Sequence, residues 1–153
     1  MPQMLSDDEY NRRLDKYRAS KRKSLERALV RHRAKRESTL DAAISKVKEK
    51  VRQSSWCSTH GNCFRWYEGE TDEHIRAKFE RFMEWRKHGA TVFTELILKN
   101  GKRPDLIICF ANGDVFIEEI AVSESEHSLE AKKNPYPFPI KVIRCAHFLL
   151  NRP

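Results

Sequence analysis

The chain has 153 residues and a formal net charge of +8, with 30 Lys and Arg against 22 Asp and Glu. This length suits one domain with a proper core plus an appendage, and it leaves little room for a second domain. No apolar run is long enough to cross a bilayer, and the N-terminus lacks a signal-peptide core. Composition therefore predicts a cytoplasmic protein with no membrane partner.

The positive charge is concentrated in the first third of the chain. Residues 1–53 hold 16 basic and 8 acidic residues, whereas residues 54–153 hold 14 of each. We therefore expect a basic helical arm over residues 1–53 and an electrically neutral, compact domain over residues 54–153.

The arm is predicted to be one long helix, or two helices with a break. Ser6-Asp-Asp-Glu9 has the pattern of a capping box, and neither Pro nor Gly follows until Gly61. Apolar residues recur at helical spacing, in a stripe too narrow for a globular core. They are Leu5, Tyr10, Leu14, Tyr17, Leu25, Leu29, Leu40, Ile44, Val47 and Val51. Such a helix must pack against something.

Basic side chains surround the arm between these apolar positions. The clustered residues are Arg18, Arg22, Lys23, Arg31, Arg33 and Arg36. One interpretation is a solvated or coiled-coil helix that forms a homodimer, and the other is contact with the phosphates of DNA. The two are compatible, and both remain open at this point.

Residues 54–70 are predicted to form an ordered, aromatic-rich connector that contains Cys57-x-x-His60-x-x-Cys63. These three side chains at close spacing suit a structural zinc ion, with Cys145 or His147 as a fourth ligand. The alternative is that the cysteines are free and buried in a loop that packs its aromatic residues on the sheet.

A second helix is predicted to begin after the cap residue Thr71 and to end at Gly89. Its core face is predicted to comprise Ile75, Phe79, Phe82 and Met83. A second row follows the spacing i, i+4, i+7, i+11 and therefore shares a different face. That row comprises His74, Lys78, Arg81 and Trp85.

Three β-branched runs follow, at residues 91–98, 103–110 and 115–122. They are separated by Asn100-Gly101 and Asn112-Gly113, dipeptides that favour type I′ hairpin turns. The pattern predicts an antiparallel three-stranded meander. A capping box at Ser123 then predicts a short helix up to Asn134, and residues 140–143 are expected to form a fourth strand parallel to the third.

Four carboxylates interrupt these apolar strands, and such groups are costly to bury unless a cation balances them. They are Glu95, Asp105, Glu118 and Glu119. Alternation and the hairpin connection bring Asp105 and Glu119 to the same end of the sheet. Two carboxylates with nearby backbone carbonyls suit Mg²⁺ or Mn²⁺, which can promote phosphodiester hydrolysis.

Each acid also has a purely structural interpretation. Asp105 is then a carboxylate at the start of a strand, paired with Arg103 or Lys102, and Glu118 is a solvent-facing residue.

The element order helix-βββ-helix-β, with Arg103-Pro-Asp105 and Glu118-Glu119 on neighbouring strands, resembles the PD-(D/E)XK nuclease superfamily. The details are most similar to the nuclease domain of competence protein CoiA-like proteins. Over about residues 63–143, the matching positions are His74, Lys78, Glu95, Arg103, Asp105, Glu119 and Ser123. The resemblance implies a restriction-endonuclease-like α/β fold with a mixed four-stranded sheet, and a divalent-metal-dependent DNA endonuclease.

The resemblance also implies roles for the matching residues. Asp105 and Glu119 would hold Mg²⁺ or Mn²⁺, and Glu95 would support the metal. Lys78 and His74 would position water or the scissile phosphate.

The chain departs from the superfamily motif at the lysine two residues after Glu119, where it has Ala121. Lys78 or Lys132 would then have to supply the cation. Two alternatives stay open: a catalytically inactive nuclease fold that only binds nucleic acid, and a helical dimerisation or scaffold protein.

Overall fold

The computed structural model describes residues 7–122 and 136–144. These residues form α1 (Asp7–Lys50), α2 (Gln53–Ser58), α3 (Asp72–Lys87), β1 (Thr91–Thr94), β2 (Leu106–Cys109), β3 (Val115–Ala121) and β4 (Ile140–Arg144). The predicted mixed α/β class, with a long N-terminal helix and a four-stranded mixed sheet, is confirmed. Among the described residues, no helix has a stretch long and apolar enough to span a bilayer.

Parts of the prediction fall outside the described residues. They are the cap at Ser6, the helix between the third and fourth strands with Ser123 and Lys132, and the residues Cys145 and His147. The connector at residues 54–70 does contain one element that was not predicted, the short helix α2.

The four strands lie side by side in the order β1-β2-β3-β4. β2 pairs antiparallel with β1 and with β3, and β4 pairs parallel with β3, as predicted. β1 is shorter than predicted because Glu95 adopts a left-handed backbone conformation, with φ of 61°. The chain therefore leaves the sheet directly after Thr94.

The two tight turns occur at the predicted dipeptides, but they are not of type I′, which needs two consecutive residues with positive φ. In each turn only the glycine has a positive φ, which is 84° at Gly101 and 95° at Gly113. The Gly113 N–H donates to the carbonyl of Phe110 at 3.0 Å, and the Phe110 N–H donates to the carbonyl of Asp114 at 2.9 Å. This is the pattern of a type I turn followed by a bulge at a left-handed glycine.

The chain divides into two compact units, Met1–Ser38 and Thr39–Pro153, whereas the sequence placed a boundary after residue 53. In the second unit, the last turns of α1 bury Ala43 and Val47 in the core with Ile107 and Ile117. In the first unit, the apolar stripe on α1 is exposed at Tyr10, Tyr17, Leu25 and Leu29.

Helix α3 begins and ends where the sequence predicts. The Thr71 hydroxyl accepts a hydrogen bond from the His74 N–H at 3.3 Å. At the other end, the N–H groups of Gly89 and Ala90 donate to the carbonyls of Arg86 and Trp85 at 3.0 and 3.1 Å. With Gly89 at φ of 76°, this is a Schellman motif.

The face of α3 that packs on the sheet is only in part the predicted apolar one. Phe82 is buried against the sheet as predicted, and Phe79 and Met83 are exposed. Lys78 and Arg81 are buried in their place, together with Ala77. The row that begins at His74 therefore faces the sheet. Because charged groups are costly to bury alone, each buried cation needs a carboxylate partner.

Glu118 is the partner of Arg81, and the interpretation of Glu118 as a solvent-facing residue is wrong. Its side chain is 0% exposed. Arg81 Nη2 donates to Oε1 at 2.7 Å and Arg81 Nε donates to Oε2 at 2.8 Å. Trp85 Nε1 donates to Oε2 at 2.9 Å. This two-pronged pair neutralises the acid and ties α3 to β3.

Glu118→Gln should lower the free energy of unfolding by about 3 to 5 kcal/mol, because it leaves the buried Arg81 without its counter-charge. Urea denaturation measures this loss. As a matched control, Glu84→Gln removes the half-exposed second partner of Arg81 and should cost less than about 1 kcal/mol. The double variant Arg81→Met, Glu118→Leu should recover most of the loss, and equal losses for Glu118→Gln and Glu84→Gln would contradict this account.

Candidate functional site

A second group of charged side chains lies where the start of α3 meets one end of the sheet. We call it the polar cluster, and it comprises Glu70, His74, Lys78, Glu95 and Asp105. Glu95 directly follows β1 and Asp105 directly precedes β2. Because these strands are antiparallel, both acids lie at the same end of the sheet.

Lys78 forms the buried centre of the polar cluster, with a side chain that is 0% exposed. Its Nζ donates to Glu70 Oε1 at 2.7 Å and also to Glu95 Oε1. Burial by itself lowers the pKa of Lys78, but the hydrogen bonds to Glu70 and Glu95, together with the charges of Glu95 and Asp105, outweigh burial and raise the pKa overall. Lys78 therefore stays a cation at neutral pH and does not act as a base.

His74 and Asp105 form the second contact in the polar cluster. His74 Nε2 lies 3.0 Å from Asp105 Oδ1, and Asp105 Oδ2 accepts a hydrogen bond from the Ile120 N–H at 2.7 Å. The hydrogen bond to Asp105 raises the pKa of His74 against the opposing effect of burial, and the charges of Asp105 and Glu70 add to the rise. Asp105 is thus held from both sides, and the structural pairing with Arg103 or Lys102 is not observed.

Glu95 reaches the polar cluster through its left-handed backbone. A non-glycine residue in this region costs roughly 1 to 3 kcal/mol, and such residues concentrate at functional sites. Its second oxygen, Oε2, lies 3.4 Å from Nη1 of Arg103. Arg103 thus pairs with Glu95, which is held between two cations.

Glu70 is the residue that the sequence analysis did not include in the site. It precedes the cap of α3, and its Oε2 atom is buried without a hydrogen-bond partner among the described residues. Glu70, His74 and Lys78 are spaced by four residues each, so extending the polar row of α3 backwards by one turn would have found it.

Three side chains of the polar cluster can share a metal ion. The ligand atoms of Glu70, His74 and Asp105 all lie within 4.8 Å of one another, and they are the one such group within residues 7–122 and 136–144. Two carboxylates and an imidazole suit Mn²⁺, and the carboxylate oxygens also suit Mg²⁺. The unpartnered oxygen of Glu70 fits a cation as well, since a buried anionic oxygen is otherwise uncompensated.

The predicted metal ligands Glu95 and Glu119 are not members of this three-residue group. Glu119 alternates with Glu118 along β3 and therefore faces away from α3. The register pairs Leu106 with Glu118, so one further step places Asp105 opposite Glu119 in the backbone. The Glu119 side chain accepts a hydrogen bond from the hydroxyl of Tyr136 at 2.7 Å.

The predicted zinc ligands do not converge in the described residues. Cys57 and Cys63 are free and exposed, and with His60 they form no group of adjacent ligand atoms there. The expectation that these cysteines are buried is wrong. The connector is ordered, as expected, since Asn62 exchanges hydrogen bonds with the backbone of Val92 at 2.7 and 2.9 Å.

The predicted DNA-binding side chains of the arm are all exposed on α1. They are Arg18, Arg22, Lys23, Arg31, Arg33 and Arg36. Ion pairs along the helix join Arg18 to Asp15, Arg22 to Glu26, and Arg33 to Glu37. Exposed pairs of this kind are weak, so Arg18, Arg22 and Arg33 can exchange them for a stronger anion.

Comparisons of the chain with protein-family models, with curated proteins and with solved structures found no match.

The protonated form of His74 should stabilise the fold in the absence of metal. Its pKa is raised in the folded state, so the stabilisation is complete below the unfolded value of about 6.5 and is lost as pH rises through the folded pKa. In urea denaturation with EDTA, the stability advantage of the parent over His74→Gln should shrink as pH rises. In an Asp105→Asn background, the same comparison should show little of this trend, and an equal trend in both backgrounds would contradict the assignment to Asp105.

Proposed function

We propose that the chain is a divalent-metal-dependent endonuclease that hydrolyses phosphodiester bonds in DNA, built on a restriction-endonuclease-like domain of the PD-(D/E)XK type. One observation carries the proposal: the ligand atoms of Glu70, His74 and Asp105 lie within 4.8 Å of one another. Beside them, the buried Lys78 is bonded to two carboxylates.

The strand arrangement supports the same proposal. The order of the described elements and the parallel pairing of β4 with β3 match the pattern that the sequence resembles. Asp105 follows the buried Pro104, whose ring fixes its φ angle on entry to β2. The backbone directly before Asp105 is therefore rigid.

Glu70, His74 and Asp105 would hold Mg²⁺ or Mn²⁺ in this proposal. A bound divalent ion polarises a phosphodiester and lowers the pKa of an attacking water molecule. The protein orients Asp105 through the backbone, because the Ile120 N–H donates to Asp105 Oδ2. Hydrogen-bonded partners of this kind set the orientation of ligands at metal sites.

Lys78 takes a different role from the one implied by the resemblance. A lysine that orients water or the scissile phosphate needs an Nζ that substrate can reach. Here Nζ is buried and held by Glu70 and Glu95. We assign Lys78 as a positioning residue that fixes these two carboxylates. Arg103 is partly exposed beside the polar cluster, and in this proposal it contacts a phosphate.

Asp105→Asn should abolish Mn²⁺-dependent cleavage and weaken Mn²⁺ binding, because it removes a ligand and its charge. Lys78→Met should lower the cleavage rate by about 10- to 100-fold, as expected when the groups that orient metal ligands are lost. Cleavage of labelled DNA substrates and calorimetric Mn²⁺ titration measure the two effects.

The matched control for these variants is Glu73→Gln, which removes an exposed acid from the same helix and should change neither cleavage nor Mn²⁺ binding. A parent protein that binds no Mn²⁺ and cuts no substrate with either metal would overturn the nuclease proposal.

A nucleic-acid-binding module without catalysis is the second candidate. Two observations favour it: Ala121 stands at the lysine position of the motif, and the Lys78 ammonium is enclosed by carboxylates. Such a module would bind nucleic acid in a salt-dependent way, with or without divalent metal, and would leave it uncut.

We also propose that the basic residues of α1 contact DNA phosphates. Each phosphate contact contributes about 0.9 to the slope of log K against log salt concentration. Replacing Arg18, Arg22, Lys23, Arg31, Arg33 and Arg36 by Gln should therefore weaken DNA binding and flatten this slope. Fluorescence anisotropy at several salt concentrations measures both.

The control for the arm variant is Arg86→Gln with Lys87→Gln, which removes exposed positive charge from the end of α3. This control should leave the slope nearly unchanged. An unchanged slope in the arm variant would show that the arm does not contact DNA.

A further inference from the structure

The segment that supplies Glu70 to the polar cluster also carries two exposed aromatic side chains. Trp66 is 59% exposed and Tyr67 is 55% exposed. The Glu70 N–H donates to the carbonyl of Tyr67 at 3.0 Å, so a tight turn joins the aromatic residues to the acid of the site. Large aromatic surfaces that stay in water beside a polar site are typical of binding surfaces.

These aromatic side chains stand on an anchored segment. The ring of Phe64 contacts Phe79 and Phe82 edge-on, with centroids 5.1 and 5.4 Å apart, and the Trp66 ring lies 6.2 Å from the Phe64 ring. The Arg65 N–H donates to the Thr94 hydroxyl at 3.0 Å, which fixes the segment to the end of β1. A fixed ring loses little conformational freedom when a flat ligand stacks on it.

Arg103 links the aromatic side chains to the polar cluster. Its guanidinium carbon lies 4.5 Å from the centroid of the Tyr67 ring, and its Nη1 lies 3.4 Å from Glu95 Oε2. A positive charge therefore lies between the aromatic surface and the site. Aromatic rings combined with a cation suit a ligand that alternates flat bases with anionic phosphates.

We propose that Trp66, Tyr67 and Arg103 form a stacking surface for unpaired nucleobases, so that the strand entering the polar cluster has single-stranded rather than fully paired bases there. The choice of nucleic acid as ligand rests on the proposed function. Bases inside a duplex are covered on both faces by their neighbours, and only unpaired bases offer a face to a side chain. Stacking is also insensitive to base identity, so the surface selects strand structure rather than sequence.

Binding of fluorescein-labelled probes to the full-length protein in EDTA tests this proposal without any cleavage. The probes are a single strand, the corresponding duplex, and an abasic strand with the same number of phosphates. The single strand should bind more tightly than the other two. Trp66→Ala and Tyr67→Ala should each weaken its binding by about 5- to 100-fold and should leave the abasic strand unaffected.

Two variants serve as controls. Trp66→Phe keeps a flat ring and should retain most of the affinity for the single strand. Met83→Ala removes an apolar side chain that is 39% exposed from α3, outside both proposed binding surfaces, and should change nothing. Equal binding of base-containing and abasic strands by the parent, no binding of the single strand, or alanine variants that bind like the parent would each overturn the stacking surface.

Failure of the stacking surface can be distinguished from failure of the nuclease proposal. If the parent cuts nothing with Mg²⁺ or Mn²⁺ but loses base-dependent binding on Trp66→Ala, the nuclease proposal fails and the stacking surface stands. If the parent cuts DNA and Trp66→Ala binds every probe like the parent, only the stacking surface fails.

Discussion

The burial of two cations on one face of α3 is the constraint on which the rest of this domain depends. Arg81 and Lys78 lie three residues apart and are both removed from water against the sheet. Neither can be buried alone, so each must meet carboxylates from other elements. A slip of α3 by one turn would separate both from their partners. The ion pairs therefore fix the register of α3 on the sheet, and this register brings His74 to Asp105.

The two buried cations differ in whether all oxygens of their carboxylate partners are hydrogen-bonded. Glu118 is fully enclosed, and both of its oxygens are bonded to Arg81, with Trp85 as a further donor. A saturated pair of this kind holds the fold together and offers nothing to a ligand. Around Lys78, by contrast, Glu70 keeps a buried oxygen without a partner among the described residues. The unsatisfied pair lies at the end of the sheet beside the partly exposed Arg103, and the saturated pair lies further along α3.

The sequence predicted those features that depend on local chemistry. Thr71 and Gly89 bound α3 because a cap hydroxyl and a left-handed glycine act within a few residues. The prediction from sequence failed where the side chain that determines burial is distant in the chain. Arg81 and Glu118 are 37 residues apart, so no local pattern shows that a polar row is the buried face. The turn type and the left-handed Glu95 were missed because the same dipeptides and strand residues are compatible with several backbone conformations.

The position of Ala121 can be understood from the two faces of β3. Glu119 and Ala121 alternate with Glu118 and Ile120, so a lysine at position 121 would lie on the sheet face turned away from α3. In this chain the cation bonded to the acids of the polar cluster is Lys78, which comes from α3 and lies on the face of Glu118. Asp105 contacts both β3 and α3, since one of its oxygens accepts from the Ile120 N–H and the other lies against His74. Once the positive charge is supplied from α3, the carboxylate best placed to join Asp105 is one that precedes the same helix. Glu70 meets that condition, whereas Glu119 is bonded to Tyr136. Under the nuclease proposal, the use of Glu70 in place of Glu119 is thus a consequence of building the site on the α3 side of the sheet.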